Sequence, residues 1–196
     1  MAQEIEIEFK NILTYDEFLR LLDKFSVKKS AFTEQTNFYF DTPDFHLKAH
    51  KSALRIRLKN NSYTLTLKQQ YEEHILETHQ KLSEEIFTSL IKGGKLPAGE
   101  VNAVLENLHI PLNEIRHLGE LTTHRAEVSY EMGLLVLDKN HYLGKIDYEL
   151  EYESTDYKRG KEVFLELLQA NNIPARATES KIHRFFLEKL NRGGLS

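Results

Sequence analysis

Residues 4–10 read Glu4-Ile5-Glu6-Ile7-Glu8-Phe9-Lys10, and residues 147–153 read Asp147-Tyr148-Glu149-Leu150-Glu151-Tyr152-Glu153. Neighbouring side chains on a strand point to opposite faces. Each stretch is therefore a strand with one ionised face and one apolar face. In the first, Glu4, Glu6, Glu8 and Lys10 lie opposite Ile5, Ile7 and Phe9. In the second, four acids lie opposite Tyr148, Leu150 and Tyr152. Two further stretches carry the opposite sign: Arg55, Arg57 and Lys59 alternate with Leu54, Ile56 and Leu58, and Thr64, Thr66 and Lys68 alternate with Leu65 and Leu67. Any one of these alone is an ordinary half-exposed sheet strand, apolar inside and charged outside. Together they argue otherwise. Like charges two residues apart on a strand sit ~7 Å from each other. They repel by about 2 kcal/mol at an effective dielectric near 20, before salt screening. Solvated surfaces more commonly intersperse the two signs. Segregated acidic and basic strands imply an inner surface for a ligand that carries both charges. A polyphosphate bridged by divalent cations fits, because carboxylates take hard cations through oxygen and arginines take phosphate oxygens bidentately.

If the charged faces point inward, the sheet has to curl around its ligand. About eight strands closed into a barrel leave room for a small one, and amphipathic helices can cover the outward apolar stripes. Alternation predicts strands at 3–10, 32–41, 53–59, 62–69, 74–81, 119–130, 133–139 and 143–153. Helices are predicted at 14–25 with Thr14 as cap, 83–92 with Ser83 as cap, 98–108, 156–171 and 179–191. The last is expected to bury Ile182, Phe185, Phe186 and Leu190. The fold class is thus α+β: an eight-stranded antiparallel β-barrel tunnel with a charged interior, flanked by helices. Gly93-Gly94-Lys95-Leu96-Pro97-Ala98-Gly99 reads equally as a turn inside one domain or as a linker.

Among 196 residues, 26 are Lys or Arg and 30 are Asp or Glu, a net charge of −4. This balance makes a poor general nucleic-acid binder. Zero cysteines exclude disulfides, thiolate metal sites and a cysteine nucleophile. No long apolar run and no apolar leader are present, so the expectation is a soluble, cytoplasmic protein without membrane association. The nine histidines form no paired zinc-ligand motif. His46 and His50 are expected in a loop or short turn. Gly93-Gly94-Lys95 lacks the spacing of a phosphate loop, and the basic run Lys158–Lys161 reads as a solvated helix start.

The order of these features resembles one family. Glu6-x-Glu8-x-Lys10 is similar to the N-terminal ExExK signature of CYTH-domain proteins, the triphosphate tunnel metalloenzymes. It is followed in the same order by FYFDTPDF with Tyr39 and Asp41, ALRIR with Arg55 and Arg57, TLTLK with Lys68, HRAEV with Arg125, LVLD with Asp138, DYELEYE with Glu149 and Glu151, and SKIHR with Lys181. The likeness runs from about Glu4 to Arg184, is greatest to short stand-alone bacterial members, and treats residues 1–196 as a single CYTH domain. It implies a tunnel that binds triphosphates with Mg²⁺ or Mn²⁺. Glu6, Glu8, Asp138, Glu149 and Glu151 would hold the metal or its water, and Lys10, Arg55, Arg57, Lys68, Arg125 and Lys181 would grip phosphate. Lys10, Glu6 and Glu8 form the implied catalytic group, with Lys10 placed to tune the attacking water. The stretch QQYEEHILETHQKL departs from the family pattern, leaving Glu77, His79 and Lys81 as candidates only.

Phosphoryl transfer asks a protein mainly for positioning and charge stabilisation. The leading expectation is hydrolysis of a linear triphosphate, inorganic triphosphate first. The alternatives are class IV-type cyclisation of ATP to cyclic AMP and a non-catalytic polyphosphate or nucleotide sensor. The sequence leaves open the natural triphosphate, the preferred metal and whether the chain forms a homodimer.

Overall fold

The computed structural model of the chain describes residues 3–72 and 74–193. Its strands are β1 (Gln3–Leu13), β2 (Thr33–Asp41), β3 (Ser52–Lys59), β4 (Ser62–Tyr71), β5 (His74–Leu82), β6 (Arg116–Tyr130), β7 (Gly133–Tyr142) and β8 (Lys145–Ser154). Among the described residues these close into an antiparallel barrel in the order β1-β5-β4-β3-β2-β6-β7-β8. Short hairpins set much of the register. Asn60 and Asn61 both have positive φ and join Lys59 to its partner Ser62. Leu143 and Gly144, also at positive φ, join Tyr142 to Lys145. Two left-handed residues are what a tight turn matching the strand twist requires, and Asn and Gly adopt that conformation at least cost.

The described residues also form α1 (Tyr15–Lys24), α2 (His46–Ala49), α3 (Glu84–Ile91), α4 (Glu100–Asn107), α5 (Tyr157–Ala170) and α6 (Lys181–Asn191). Thr14 caps α1 as expected, within a capping box closed by Glu17, and Ser83 caps α3. The chain divides into two compact units. One comprises the start of β1 to Glu6 together with Gln35–Glu120; the other comprises Ile7–Glu34 together with the chain from Leu121 onward. In the first unit Leu54, Ile56, Leu65 and Leu67 bury against Leu90 of α3 and Val101 and Leu105 of α4. The Gly93–Gly99 segment therefore joins two helices on one core and is a turn inside a unit. In the second, Leu135, Leu137, Leu150 and Tyr152 bury against Phe18 and Leu21 of α1 and Val163, Phe164 and Leu167 of α5. Both cores use the apolar strand faces. The ionic faces are left on the other side, as the alternation requires.

Some boundaries differ from expectation. β1 continues to Leu13, since residues 7–13 keep pairing with β8. His46 begins a four-residue helix. Asp41 nucleates that turn by accepting hydrogen bonds from the backbone nitrogens of Thr42, Leu47 and Lys48 at 2.7, 2.9 and 3.1 Å. On α6, Phe185 and Phe186 are buried but Leu190 is half exposed. The inner face of α6 carries Lys181 and Arg184, one turn apart, so its fully buried apolar residues narrow to the two phenylalanines, with Ile182 half-buried beside them.

Candidate active site

In the first unit, register sets the charged residues side by side. Lys68 of β4 pairs with Glu77 of β5, and Glu77 pairs with Glu4 of β1. The Lys68 ammonium contacts Glu77 and reaches Glu6 Oε2 at 2.5 Å. Arg55 Nη2 lies 3.7 Å from Glu77 Oε1. His79 sits among carboxylates, with Nε2 at 3.1 Å from Glu77 and 3.0 Å from Glu4, while its Nδ1 is 3.0 Å from Thr66 Oγ1. Glu4, Glu77 and His79 each offer one ligand atom within 4.8 Å of the others. Burial pushes the Glu77 carboxyl up, but Lys68 and Arg55 outweigh it and hold it at about 2. Arg57 Nε donates to Asn37 Oδ1 at 3.1 Å. Arg55, Arg57 and Lys68, expected to bind phosphate, thus share one charged face. Glu6, expected as a metal ligand, is paired with Lys68. Glu77 is an anchor of this cluster that the sequence left only as a candidate.

The second unit holds a denser cluster. β7 and β8 set Asp138 beside Glu149 in register, and Arg125 of β6 faces Asp138. Asp138, Glu149 and Glu151 are 0 %, 0 % and 4 % exposed, and each offers an oxygen within 4.8 Å of the others. Lys181, carried in by the first turn of α6, places its ammonium 2.5 Å from Glu151 Oε1, 2.7 Å from Glu149 Oε2 and 3.0 Å from Asp138 Oδ2. Arg125 forks onto Asp138 through Nε at 2.9 Å and Nη2 at 2.7 Å, and the same Nη2 reaches Glu151 at 2.6 Å. Burial alone would raise the Glu151 carboxyl, yet Lys181, Arg125 and Lys10 hold it well below the usual range. Burial likewise disfavours the Lys181 ammonium, but Glu149, Glu151 and Asp138 raise its pKa well above the ordinary value. Glu153 goes the other way. Its burial, with Glu151 and Glu8 nearby, outweighs Arg125 and raises its carboxyl. Lys10 binds Glu8 at 2.6 Å.

Two members here lie outside the expected site residues: Arg184, and Asp147, which the alternation had placed on the acidic strand face. Arg184 donates to Glu149 Oε2 at 2.7 Å and to Asp147 Oδ2 at 3.0 Å. Asp147 also accepts from Asn140 at 2.9 Å and from the Tyr142 hydroxyl at 2.7 Å. The available signal was the three-residue spacing of Lys181 and Arg184, which puts two cations on one helical face. As placed, Lys181 and Arg125 direct their donors at carboxylates. Glu6 is paired with Lys68, and Glu8 with Lys10.

An all-oxygen, buried, triply anionic donor set suits a hard divalent cation. The triad already surrounds a positive charge, the Lys181 ammonium. These residues fit a divalent metal ion.

A family model described as the CYTH domain matches residues 4–186. The chain is 48 % identical over 189 residues to a Bacillus subtilis (strain 168) protein, YjbK, provisionally named a triphosphatase, covering 96 % of this chain and 98 % of that one. A crystal structure from Bacillus halodurans, of a protein provisionally named an adenylate cyclase, superposes with a TM-score of 0.92 at 43 % identity. It covers 95 % of this chain and 100 % of its own. A Hippeastrum protein, HpAC1, provisionally named an adenylyl cyclase but described as having a dominant triphosphatase activity, gives a TM-score of 0.77 at 25 % identity, over 94 % and 95 % of the two chains. No helix among the described residues is long and apolar enough to cross a membrane.

Proposed function

Because the chain belongs to the CYTH domain family, we propose that it hydrolyses a triphosphate, inorganic triphosphate in the first place, with a divalent cation as cofactor. The observation that carries this reading is the buried triad Asp138, Glu149 and Glu151 gathered around a positive charge. A chain whose relatives include a named triphosphatase would hold Mg²⁺ or Mn²⁺ there, with Glu6 and Glu8 as further acidic groups toward the metal or its water. When bound, such an ion supplies charge neutralisation on the phosphate oxygens and Lewis-acid activation of water. The chain's own cations do the positioning. Arg55 and Arg57 present planar forks that match phosphate oxygens, and Lys68, Lys10, Arg125 and Lys181 add point charges or further donors. Arg184 fixes Glu149, and Lys10 beside Glu8 orients and polarises the attacking water. In this reading residues 1–196 work as one domain in the cytoplasm.

The test is phosphate release from inorganic triphosphate with Mg²⁺, Mn²⁺ or EDTA, with ATP and thiamine triphosphate alongside. Metal-dependent release that is fastest on inorganic triphosphate, and lost in Glu6→Gln, is the expected result. The provisional naming of the Bacillus halodurans relative motivates one further readout. Cyclic AMP appearing from ATP in place of released phosphate would make the chain a cyclase. Triphosphate binding without turnover under every metal would make it a sensor.

A further inference from the structure

Asn37 lies on the face of β2 that turns away from the apolar core. Phe38 and Phe40, its neighbours on the other face, pack with that core. Asn37 is 1 % exposed and pairs in register with Arg57 on β3. Cross-strand partners on one face bring their side chains into contact. Here Asn37 Oδ1 accepts from Arg57 Nε at 3.1 Å. That bond also orients the amide, because only the oxygen can accept from a guanidinium. The NH₂ group is thereby the free end, and Asn37 Nδ2 is buried without a hydrogen-bond partner.

Two neighbours share this condition. Gln35, two residues back on the same face, is 2 % exposed, and its Oε1 is buried without a partner. Arg55 Nε is buried without a partner as well. Buried polar groups are ordinarily satisfied, and leaving one unmade costs the full desolvation of the group. Three unmet groups on adjacent positions of one face mark a surface whose partner is a ligand. Two of the three, Asn37 Nδ2 and Arg55 Nε, are donors, and they flank a guanidinium.

We propose that Asn37 is a phosphate-binding residue: it holds Arg57 through Oδ1 and donates from Nδ2 to an oxygen of the same phosphoryl group that Arg57 grips. The inference rests on the triphosphate reading given above and adds a neutral contact to it. An amide N–H reads an acceptor oxygen at close range without the desolvation cost of another buried cation. It fixes the rotation of the phosphoryl group about the axis that a single bidentate guanidinium leaves free.

The experiment compares wild type with Asn37→Asp and Asn37→Ala in titrations with inorganic triphosphate, first in EDTA and then as KM and kcat with Mg²⁺. Asn37→Asp keeps the shape and the acceptor for Arg57 but replaces the donor with an anion. Its affinity for triphosphate is expected to fall by about tenfold or more, the scale of a hydrogen bond to a charged group. The ratio of wild-type to variant affinity should shrink between about pH 8 and about pH 4, as the new carboxyl takes up a proton; a purely structural defect would not follow that titration. Wild-type affinity in Asn37→Asp, with loss only in Asn37→Ala, would overturn the donor role and leave Asn37 as a support for Arg57. Should Asn37→Asp fail to fold, the wild-type protein carries the test. The Asn37 side-chain amide resonance, assigned by its absence in Asn37→Ala, should shift and gain exchange protection on adding triphosphate; an unmoved resonance at saturation overturns the proposal. Failure of folded wild-type protein to bind triphosphate at all would instead overturn the underlying triphosphate reading.

Discussion

Removing the Lys181 ammonium should make the protein depend on a divalent cation for its stability. In Lys181→Met the three carboxylates that surround Nζ at 2.5–3.0 Å keep Arg125 and Arg184 as partners but lose one full compensating charge. Breaking a buried ion pair by deleting one partner costs about 3–5 kcal/mol. Each kcal/mol moves the melting temperature of a chain this long by about 2–4 °C. The variant should therefore melt about 6–20 °C below wild type in EDTA. A divalent cation replaces the missing charge. At a concentration about 100 times its Kd it returns about 2.7 kcal/mol, or about 5–11 °C by the same conversion. Wild type gains less, because its triad must first give up the ammonium. Differential scanning calorimetry of both proteins in EDTA, Mg²⁺ and Mn²⁺ reads the loss and the two gains. Equal melting of the two proteins in EDTA, or equal gains on adding metal, would refute the placement of Lys181 at the cation position of the triad.

Other substitutions test other parts of the structure. Arg57→Ala and Glu149→Gln should each lower metal-dependent triphosphate turnover by about a hundredfold or more while the far-ultraviolet circular dichroism stays that of wild type, since the first removes a cation aimed at the reacting phosphate and the second removes a charged ligand from the proposed metal site. The Glu77 carboxyl sits at about 2 against an ordinary 4.5, so its pairing with Lys68 and Arg55 stabilises the fold fully above about pH 4.5. That contribution is lost as pH falls toward about 2. Urea midpoints of Glu77→Gln should accordingly lie below wild type near neutrality and converge with it in acid; a constant offset would contradict the assignment. At Gly160 on α5, an added Cβ would sit 2.7 Å from the Ser154 Cβ and 2.8 Å from the Phe9 ring, so Gly160→Ala should destabilise by about 1–3 kcal/mol, read as a lowered denaturant midpoint.

The barrel was legible because its alternation is strict: Glu149, Leu150, Glu151 and Tyr152 announce both a strand and its two environments. Thr14 and Ser83 were legible as caps because a helix start needs a side-chain acceptor at that position. What escaped is what depends on one element meeting another. Arg184 looks like a solvated helix residue until α6 is docked on β8, and the Lys181 contacts with carboxylates depend on the same docking. Glu77 stands in a stretch with several acids and no local feature that selects it. Asn37 and Gln35 carry no charge, so a reading built on charged faces passed over them, and only burial without a partner reveals them.

β1 has a consequence for how the chain reaches this state. Its first residues pair with β5, but, among the described residues, 7–13 pair with β8, in the last third of the sequence. During synthesis the hairpins from β3 to β5 can form as soon as they emerge, since their partners are close in sequence. The remainder of β1 has to wait, edge exposed, until β8 has been made. An unpaired strand edge is a site for association between nascent chains, and here the residues on that edge include Glu8 and Lys10. The ionic side chains proposed to serve the reaction would then also keep the waiting strand from pairing with the wrong neighbour.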